Sequence, residues 1–408
     1  MRRALLGGAA LLASGGATAI SHKPAEAFWS SRSDAGKSDK ALQHHRVVII
    51  GGGTSGLTVA SQLLKHAGWE SLIKFGAPSH GSDVAVIEPS SQHYYLPMLT
   101  MIAGGLKQFK NAHRDMEQVM PERSLWIQDS VKELRPSANT VTLQSGEKIS
   151  YDYLVVAAGM QRNWTRVPGM KEALDAADCP VASVHAPQYA DKARLLMENF
   201  KGGEVLFVSF DAGWTPMWLF ESRIRAQGAR DKTHIFGTTP HATLFCVEKY
   251  AGALQAIASE RGVGILRETE LVRVLPEECV VVLRNVQTKQ EVRKAFDILH
   301  VSPPVSAPDF LASSPLADRE GYCAVDRETL QHSKFANVFA IGDSASLPTA
   351  KSAAAIASQA PVLVHNLIAV MQRDRALKEN GASKSEEAKL PAHYDCYTGV
   401  PIMLGEDC

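Results

Sequence analysis

The stretch VVIIGGGTSGLTVA, Val47 to Ala60, constrains this chain more than any other. Four β-branched residues run into three glycines, and an apolar helical pattern begins at once. Gly51-x-Gly53-x-x-Gly56 therefore follows a predicted strand and opens a predicted helix, the context a dinucleotide-binding turn requires. Gly51 permits the tight turn. Gly53 lets backbone approach a pyrophosphate that any Cβ would push away. Gly56 lets helix and strand pack closely. The helix start then presents free N–H groups and partial positive charge to phosphate. A bare glycine-rich turn in a nucleotide-free α/β protein is the competing reading. Glu88 weighs against it, because it ends the next strand, where a carboxylate can accept hydrogen bonds from a ribose diol.

That next strand is expected over Asp83 to Glu88, stopped by Pro89. The span before it, HAGWESLIKFGAPSHGSD, is long for such a unit and reads as a surface insertion. TVTLQSGEKISYDY has the alternation and turn chemistry of a β-meander. YDYLVVAAGM reads as a buried strand ending in small residues and Gly159, where a nucleotide can lie against backbone. A second α/β unit begins near Gly203, with strands in GEVLFVSF and DKTHIFGTTP. A helix is expected in WLFESRIRAQG, and an amphipathic one in VEKYAGALQAIASERGV, closed by Gly262. First-unit material returns in NVFAIGDSASLPTAKSAAAIASQA, with a strand ending at Asp343 and a helix from about Lys351. An aspartate there can accept a hydrogen bond from a ribityl hydroxyl; its plainer role is a helix N-cap. The following helix start can stabilise negative charge on a reduced flavin ring. Together these features favour FAD over NAD.

The expected fold class is α/β: two Rossmann-like, three-layer ββα dinucleotide-binding domains of the FAD/NAD(P)-binding flavoprotein type, the second inserted in the first. The boundaries expected are 45–160 with 300–375 for the FAD-binding domain and 161–299 for the second. The second strand–helix turn, VLFVSFDAGWTPMWLFES, has only Gly213 after the strand. Trp214, Thr215 and Met217 stand where glycines would be needed, so nicotinamide is not expected as a substrate.

The chain has 408 residues, and its 43 Lys plus Arg balance 43 Asp plus Glu. That balance gives no sign of a nucleic-acid binder. Cys179, Cys246, Cys279, Cys323, Cys396 and Cys408 are widely spaced with no C-x-x-C pair. Neither a metal site nor a disulfide-stapled fold is expected. Residues 1–44 read as a targeting segment and linker. Two early arginines, no acidic residue before Glu26 and a wealth of Ala, Gly and Ser point to a mitochondrial presequence. A secretory signal is the alternative, since Ala4 to Ile20 is apolar and ATA offers a cleavage site.

From Arg46 to about Met403 the chain resembles the eukaryotic, mitochondrial-type sulfide:quinone oxidoreductases, FAD proteins with two dinucleotide-binding domains. The segments that carry the resemblance include EPSSQHYYLPMLTMIAGG, KISYDYLVVAAG, EKYAGALQAIASERG, LHVSPPVSAPDFLASSPLAD and DRETLQHSKFANVFAIGDSASLPTAKSAAAIASQ. The resemblance implies that Gly51, Gly53, Gly56, Glu88, Gly159 and Asp343 hold FAD, with Lys351 near flavin and quinone. It implies oxidation of sulfide to sulfane sulfur, two electrons passing through FAD to ubiquinone, and a small sulfur acceptor such as sulfite or a thiol. It also implies peripheral association with the mitochondrial inner membrane.

The family runs its sulfur chemistry on two cysteines beside the flavin, one in a CAGAP-like segment and one in a YTSCP-like segment. Here these read FDAGWTP, with Asp211 nearest the expected thiol, and YTGVP, with Val400 in the thiol's place. Neither side chain can act as a sulfur nucleophile. Cys396, four residues before Val400, is the nearby substitute. Residues 376–408 are expected to be a loop region, cut short relative to the family's apolar, membrane-docking C-terminus. Two other functions stay open at this point. One is a flavin-binding pseudoenzyme without sulfide activity. The other is an NAD(P)H:quinone reductase of the type II NADH dehydrogenase kind.

Overall fold

The computed structural model describes residues 42–73, 81–209, 214–380 and 390–405. The targeting segment, Asp211, Gly213 and Cys408 lie outside them.

The β-branched run before the glycines forms the strand Gln43–Ile50 at the centre of a seven-stranded sheet. Val84–Ile87 and Lys148–Val156 flank it in parallel, and Ser124–Ile127 extends the sheet beyond Val84–Ile87. The first half of Lys148–Val156 pairs antiparallel with Thr140–Leu143, which pairs in turn with Val131–Arg135. This is the expected meander. Its second half pairs in parallel with Val338–Ala340, a strand that returns after the whole second unit. The second Rossmann-like unit is thus inserted in the first. Register places Ile50 opposite both Ile87 and Val156, and Val156 opposite Ala340. Four parallel strands therefore release the chain along one edge. Such an edge is where open α/β sheets bind ligands.

The parallel strands Val84–Ile87 and Val338–Ala340, and Gln43–Ile50 over its last six residues, are buried on both faces, as parallel strands are. The helix Thr54–Lys65 turns Val59, Ala60 and Leu63 inward and packs against the long helix Ala353–Asn380. Leu363, Val364, Leu367 and Ile368 of the long helix join the same core. Among the described residues it is the one helix long and apolar enough to cross a membrane, yet this face is committed to the core. The helix also corrects an expectation: residues 376–380 are helical rather than loop. A second correction concerns the long span after the first helix. It contains a short helix, Trp69–Ile73, whose Trp69 and Leu72 are buried in the first core. Burying side chains of this size contributes roughly 1.5–3 kcal/mol each, so this part is structural rather than a surface insertion.

The second sheet is wholly parallel, in the order Val181–Ala182, Ile298–Val301, Gly203–Val208, Thr233–Thr238, Gly264–Leu266. Strand alternation divides its side chains between two cores. Val205 and Phe207 pack with Trp214, Trp218 and Ile235, while Leu206 and Val208 pack with Met170, Leu174 and Leu299. An antiparallel ribbon, Thr269–Leu275, Val280–Asn285 and Glu291–Ala295, adds Val274, Val281 and Leu283 to the latter core. The strand Ile298–Val301 straddles the boundary expected at residue 300 and pairs in the second sheet. Between the sheets, Gln161–Arg162 and Val305–Ser306 form a short antiparallel ribbon.

Candidate active site

At the open edge of the first sheet, Gly51 has φ +104°, and a Cβ there would lie 2.4 Å from the Ala157 carbonyl oxygen. At Gly56 a Cβ would lie 1.8 Å from the Gly51 carbonyl oxygen. Both positions exclude every other residue. Gly53 is different: nothing lies within 4 Å of its Cβ position. It is the N-cap of the helix Thr54–Lys65 and supplies no side-chain cap, so the first-turn N–H groups open onto that space. This is an anion cradle made of backbone.

Glu88 stands beside it. One carboxylate oxygen accepts the Gly52 N–H at 2.8 Å and the other accepts the Ser90 N–H at 2.8 Å. A carboxylate has about four acceptor positions, so both oxygens retain capacity for a diol. A cavity of about 620 Å³ opens here, lined among others by Gly51, Glu88, Lys132, Gln144, Ala158 and Gln161. Its size is that of a small-molecule pocket. Gly159, at φ +68°, likewise has open space at its Cβ position. Open cradle, half-satisfied carboxylate and adjoining cavity fit the pyrophosphate, ribose and nucleoside parts of FAD.

Asp343 was expected to end a strand. The strand stops at Ala340, and Asp343 sits in a 3-10 turn, Gly342–Ser344. Gly342, at φ +68°, makes that turn, and a Cβ on it would lie 2.2 Å from Ser55 Oγ. Burial raises the Asp343 carboxyl above its ordinary range, opposed by the positive charges of Lys351 and Arg162. Lys351 precedes the long helix, which starts at Ala353. Its Nζ donates to the Ala345 carbonyl at 2.6 Å and lies 4.9 Å from the centre of the Tyr322 ring. Burial lowers the Lys351 ammonium, and Asp343 opposes the shift. Lys351 is therefore a half-buried cation of the site, not a solvated surface lysine.

The YTGVP segment docks on this corner. Thr398 Oγ1 donates to the Ala350 carbonyl at 3.0 Å and lies 3.1 Å from Ser352 Oγ. Gln359 accepts the Gly342 N–H at 2.9 Å and donates to the Tyr394 hydroxyl at 3.3 Å, and Tyr394 donates to the Tyr397 carbonyl. Sequence reasoning missed this relay, since Gln359 and Tyr394 resemble ordinary helix and loop residues. Val400 is exposed. Cys396 adopts a left-handed backbone, at φ 63°, and packs against the first core. Cys179 lies in the second core, and burial raises its thiol.

Two histidines were also missed. His185 Nε2 lies 2.9 Å from Ser302 Oγ. His300 Nε2 accepts the Val184 N–H at 3.2 Å, and its ring stacks on Phe207. Burial, with the Arg162 charge, pushes His185 down to about 4; burial, with His185, pushes His300 to about 3. Both are neutral at physiological pH. The signal that would have found Arg162 and Ser302 is their place: Arg162 ends the strand Gln161–Arg162, and Ser302 follows the strand Ile298–Val301.

The second sheet's edge is filled. Trp214 is 1% exposed, donates Nε1–H to the Leu244 carbonyl at 2.7 Å, and caps the helix Thr215–Ala226. A Cβ on Gly237 would lie 2.7 Å from the Trp214 ring and 3.0 Å from Met217 Sδ.

Fold and site together define a flavoprotein oxidoreductase with two dinucleotide-binding folds. Residues 46–200 match the pyridine nucleotide-disulphide oxidoreductase family model. A mouse (Mus musculus) protein named mitochondrial sulfide:quinone oxidoreductase is 35% identical over 373 residues, covering 90% of this chain and 77% of the relative. The chain belongs to the sulfide:quinone oxidoreductase family, whose members are FAD-binding flavoproteins. The solved sulfide:quinone oxidoreductase of Aquifex aeolicus shares the fold, with TM-score 0.66 and 18% identity over 82% of this chain and 78% of that one. A chain in the Tetrahymena thermophila mitochondrial ATP synthase also shares it, with TM-score 0.74 and 21% identity over 91% of this chain and 87% of that one.

Proposed function

We propose that this chain is a mitochondrial, FAD-dependent sulfide:quinone oxidoreductase. It takes two electrons from hydrogen sulfide, leaving sulfane sulfur, and reduces ubiquinone to ubiquinol with two protons. The observation that carries this reading is the open glycine cradle beside Glu88, in a chain that is 35% identical to a named sulfide:quinone oxidoreductase over most of its length. Bound FAD would supply the two-electron relay between donor and acceptor. The backbone at Gly51, Gly53 and Gly56 would hold its pyrophosphate, Glu88 its ribose, and Gly159 and Asp343 its ribityl side. Lys351 would place a cation where negative charge develops on reduction. Peripheral attachment to the inner membrane would bring the quinone within reach. Trp214, wedged against Gly237, supports a second unit closed to nicotinamide.

We assign the sulfur-handling thiol to Cys396, by its place four residues before Val400 in the docked segment. The test is anaerobic addition of sulfide to purified holoprotein. Bleaching of the flavin band, reversed by a quinone analogue, is the expected result. A second reading, a flavin-binding pseudoenzyme, is favoured by two observations: Val400 carries no thiol, and Cys396 packs against the first core. It predicts flavin that sulfide leaves unbleached.

A further inference from the structure

Gly52 is held from two sides. Its N–H donates to a Glu88 carboxylate oxygen at 2.8 Å, and its carbonyl accepts from His93 Nδ1 at 3.2 Å. The acceptor is a carbonyl, so the ring proton of this contact sits on Nδ1. Both partners come from one short stretch of chain. The second Glu88 oxygen accepts the Ser90 N–H at 2.8 Å, and the Ser90 hydroxyl donates to the Gln92 carbonyl at 2.7 Å. His93 then stands in the middle of the strand Gln92–Tyr94. That strand pairs antiparallel with His113–Asp115, with His93 opposite Arg114. The Met116 N–H donates to the Ser91 carbonyl at 2.8 Å and closes the end of the ribbon. His93 is thus a half-buried ring on a paired strand, a donor fixed against the glycine cradle.

The peptide unit whose oxygen His93 holds carries the Gly53 N–H at its other side. Across a trans peptide the two groups point in opposite directions, so restraining the Gly52 carbonyl aims the Gly53 N–H. That N–H makes no hydrogen bond with any described residue. Nothing lies within 4 Å of the Gly53 Cβ position. With a glycine on each side, this unit would otherwise rotate more freely than most. A donor on the carbonyl also polarises the unit and strengthens its N–H toward an anion. Glu88 restrains the preceding peptide unit in the same way, through the Gly52 N–H.

We propose that His93 is a positioning residue of the cofactor site, whose Nδ1–H latches the Gly52 carbonyl so that the Gly53 N–H faces the FAD pyrophosphate. This rests on the proposed function, in which the glycine cradle holds that pyrophosphate. It adds a side chain from outside the glycine turn to the groups that set cofactor affinity.

Full-length protein is freed of flavin and titrated with FAD, read by flavin fluorescence, and the phosphorus resonances of the bound FAD are recorded. His93→Phe keeps a ring and loses the donor; it should weaken FAD roughly threefold to tenfold and shift the phosphorus resonances. His93→Asn, whose amide carries an N–H close to the Nδ1 position, should restore both toward wild type at the same melting temperature as His93→Phe. Histidine labelled with nitrogen-15 in the wild-type protein, assigned by its loss in His93→Asn, serves if the phenylalanine variant does not fold: the His93 proton should sit on Nδ1. FAD affinity and phosphorus resonances unchanged in His93→Phe overturn the proposal, as does a wild-type proton on Nε2. Equal weakening in both variants also overturns it, because the ring would then matter for packing and not for its donor. Wild type that takes up no FAD is a different result, which ends the cradle reading and the latch with it.

Discussion

Two sheets in this chain end in opposite ways. At the edge of the first, Gly53 faces open space, backbone N–H groups point outward and Glu88 keeps acceptor capacity. At the edge of the second, Trp214 presses on Gly237, Met217 lies behind it, and the indole N–H is satisfied by Leu244. One edge is built to be completed by a ligand; the other is completed by its own side chains. The same strand–turn–helix architecture thus carries a nucleotide in one place and a hydrophobic core in another.

The largest way to break this contrast is Gly51→Val. The new Cβ meets the Ala157 carbonyl in a left-handed backbone, and backbone strain alone costs on the order of 1–3 kcal/mol. Flavin content of the purified variant should fall to background. Trp214→Ala attacks the opposite edge. Loss of a fully buried indole should lower stability by about 3–5 kcal/mol in denaturant titration. NADH oxidation should not appear, because the glycine loop is still missing; if it does appear, the contrast between the edges fails.

A pH titration reads the second sheet, where His300 lies in the strand Ile298–Val301. His300 is held near 3, below the ordinary histidine value of 6.5. Its folded pKa is depressed, so the unfolded chain binds the proton first. Stability is full above 6.5 and falls as pH drops from 6.5 toward 3, by an amount on the order of 5 kcal/mol. A His300→Asn variant should show a flatter profile over that window in thermal melts. The smallest expected effect is Cys396→Ser, which should slow sulfide-driven flavin reduction about tenfold, or about 1.4 kcal/mol. An unchanged rate would remove the thiol from the reaction.

The turn chemistry at Gly51 to Gly56 and Glu88 was legible in the sequence because each constraint is local. A helix start, a close approach and a strand end can be read from a dozen neighbouring residues. The two-unit α/β order was legible for the same reason, through alternating runs of β-branched and amphipathic segments. What escaped is non-local. Trp69 and Leu72 look like a surface excursion until the helix Ala353–Asn380 covers them. The relay from Gly342 through Gln359 to Tyr394 joins a turn, a helix and an extended tail. Asp343 was placed correctly in the chain but on the wrong element, because Gly342 bends the backbone two residues after the strand.

The central claim is that one dinucleotide edge is open and carries FAD while the other is closed. Flavin absorbance of the purified full-length protein, with NADH added afterwards, tests it most directly. The account predicts one FAD per chain whose yellow band NADH leaves intact. A colourless protein that takes up no added FAD, or a flavin bleached by NADH, would contradict it.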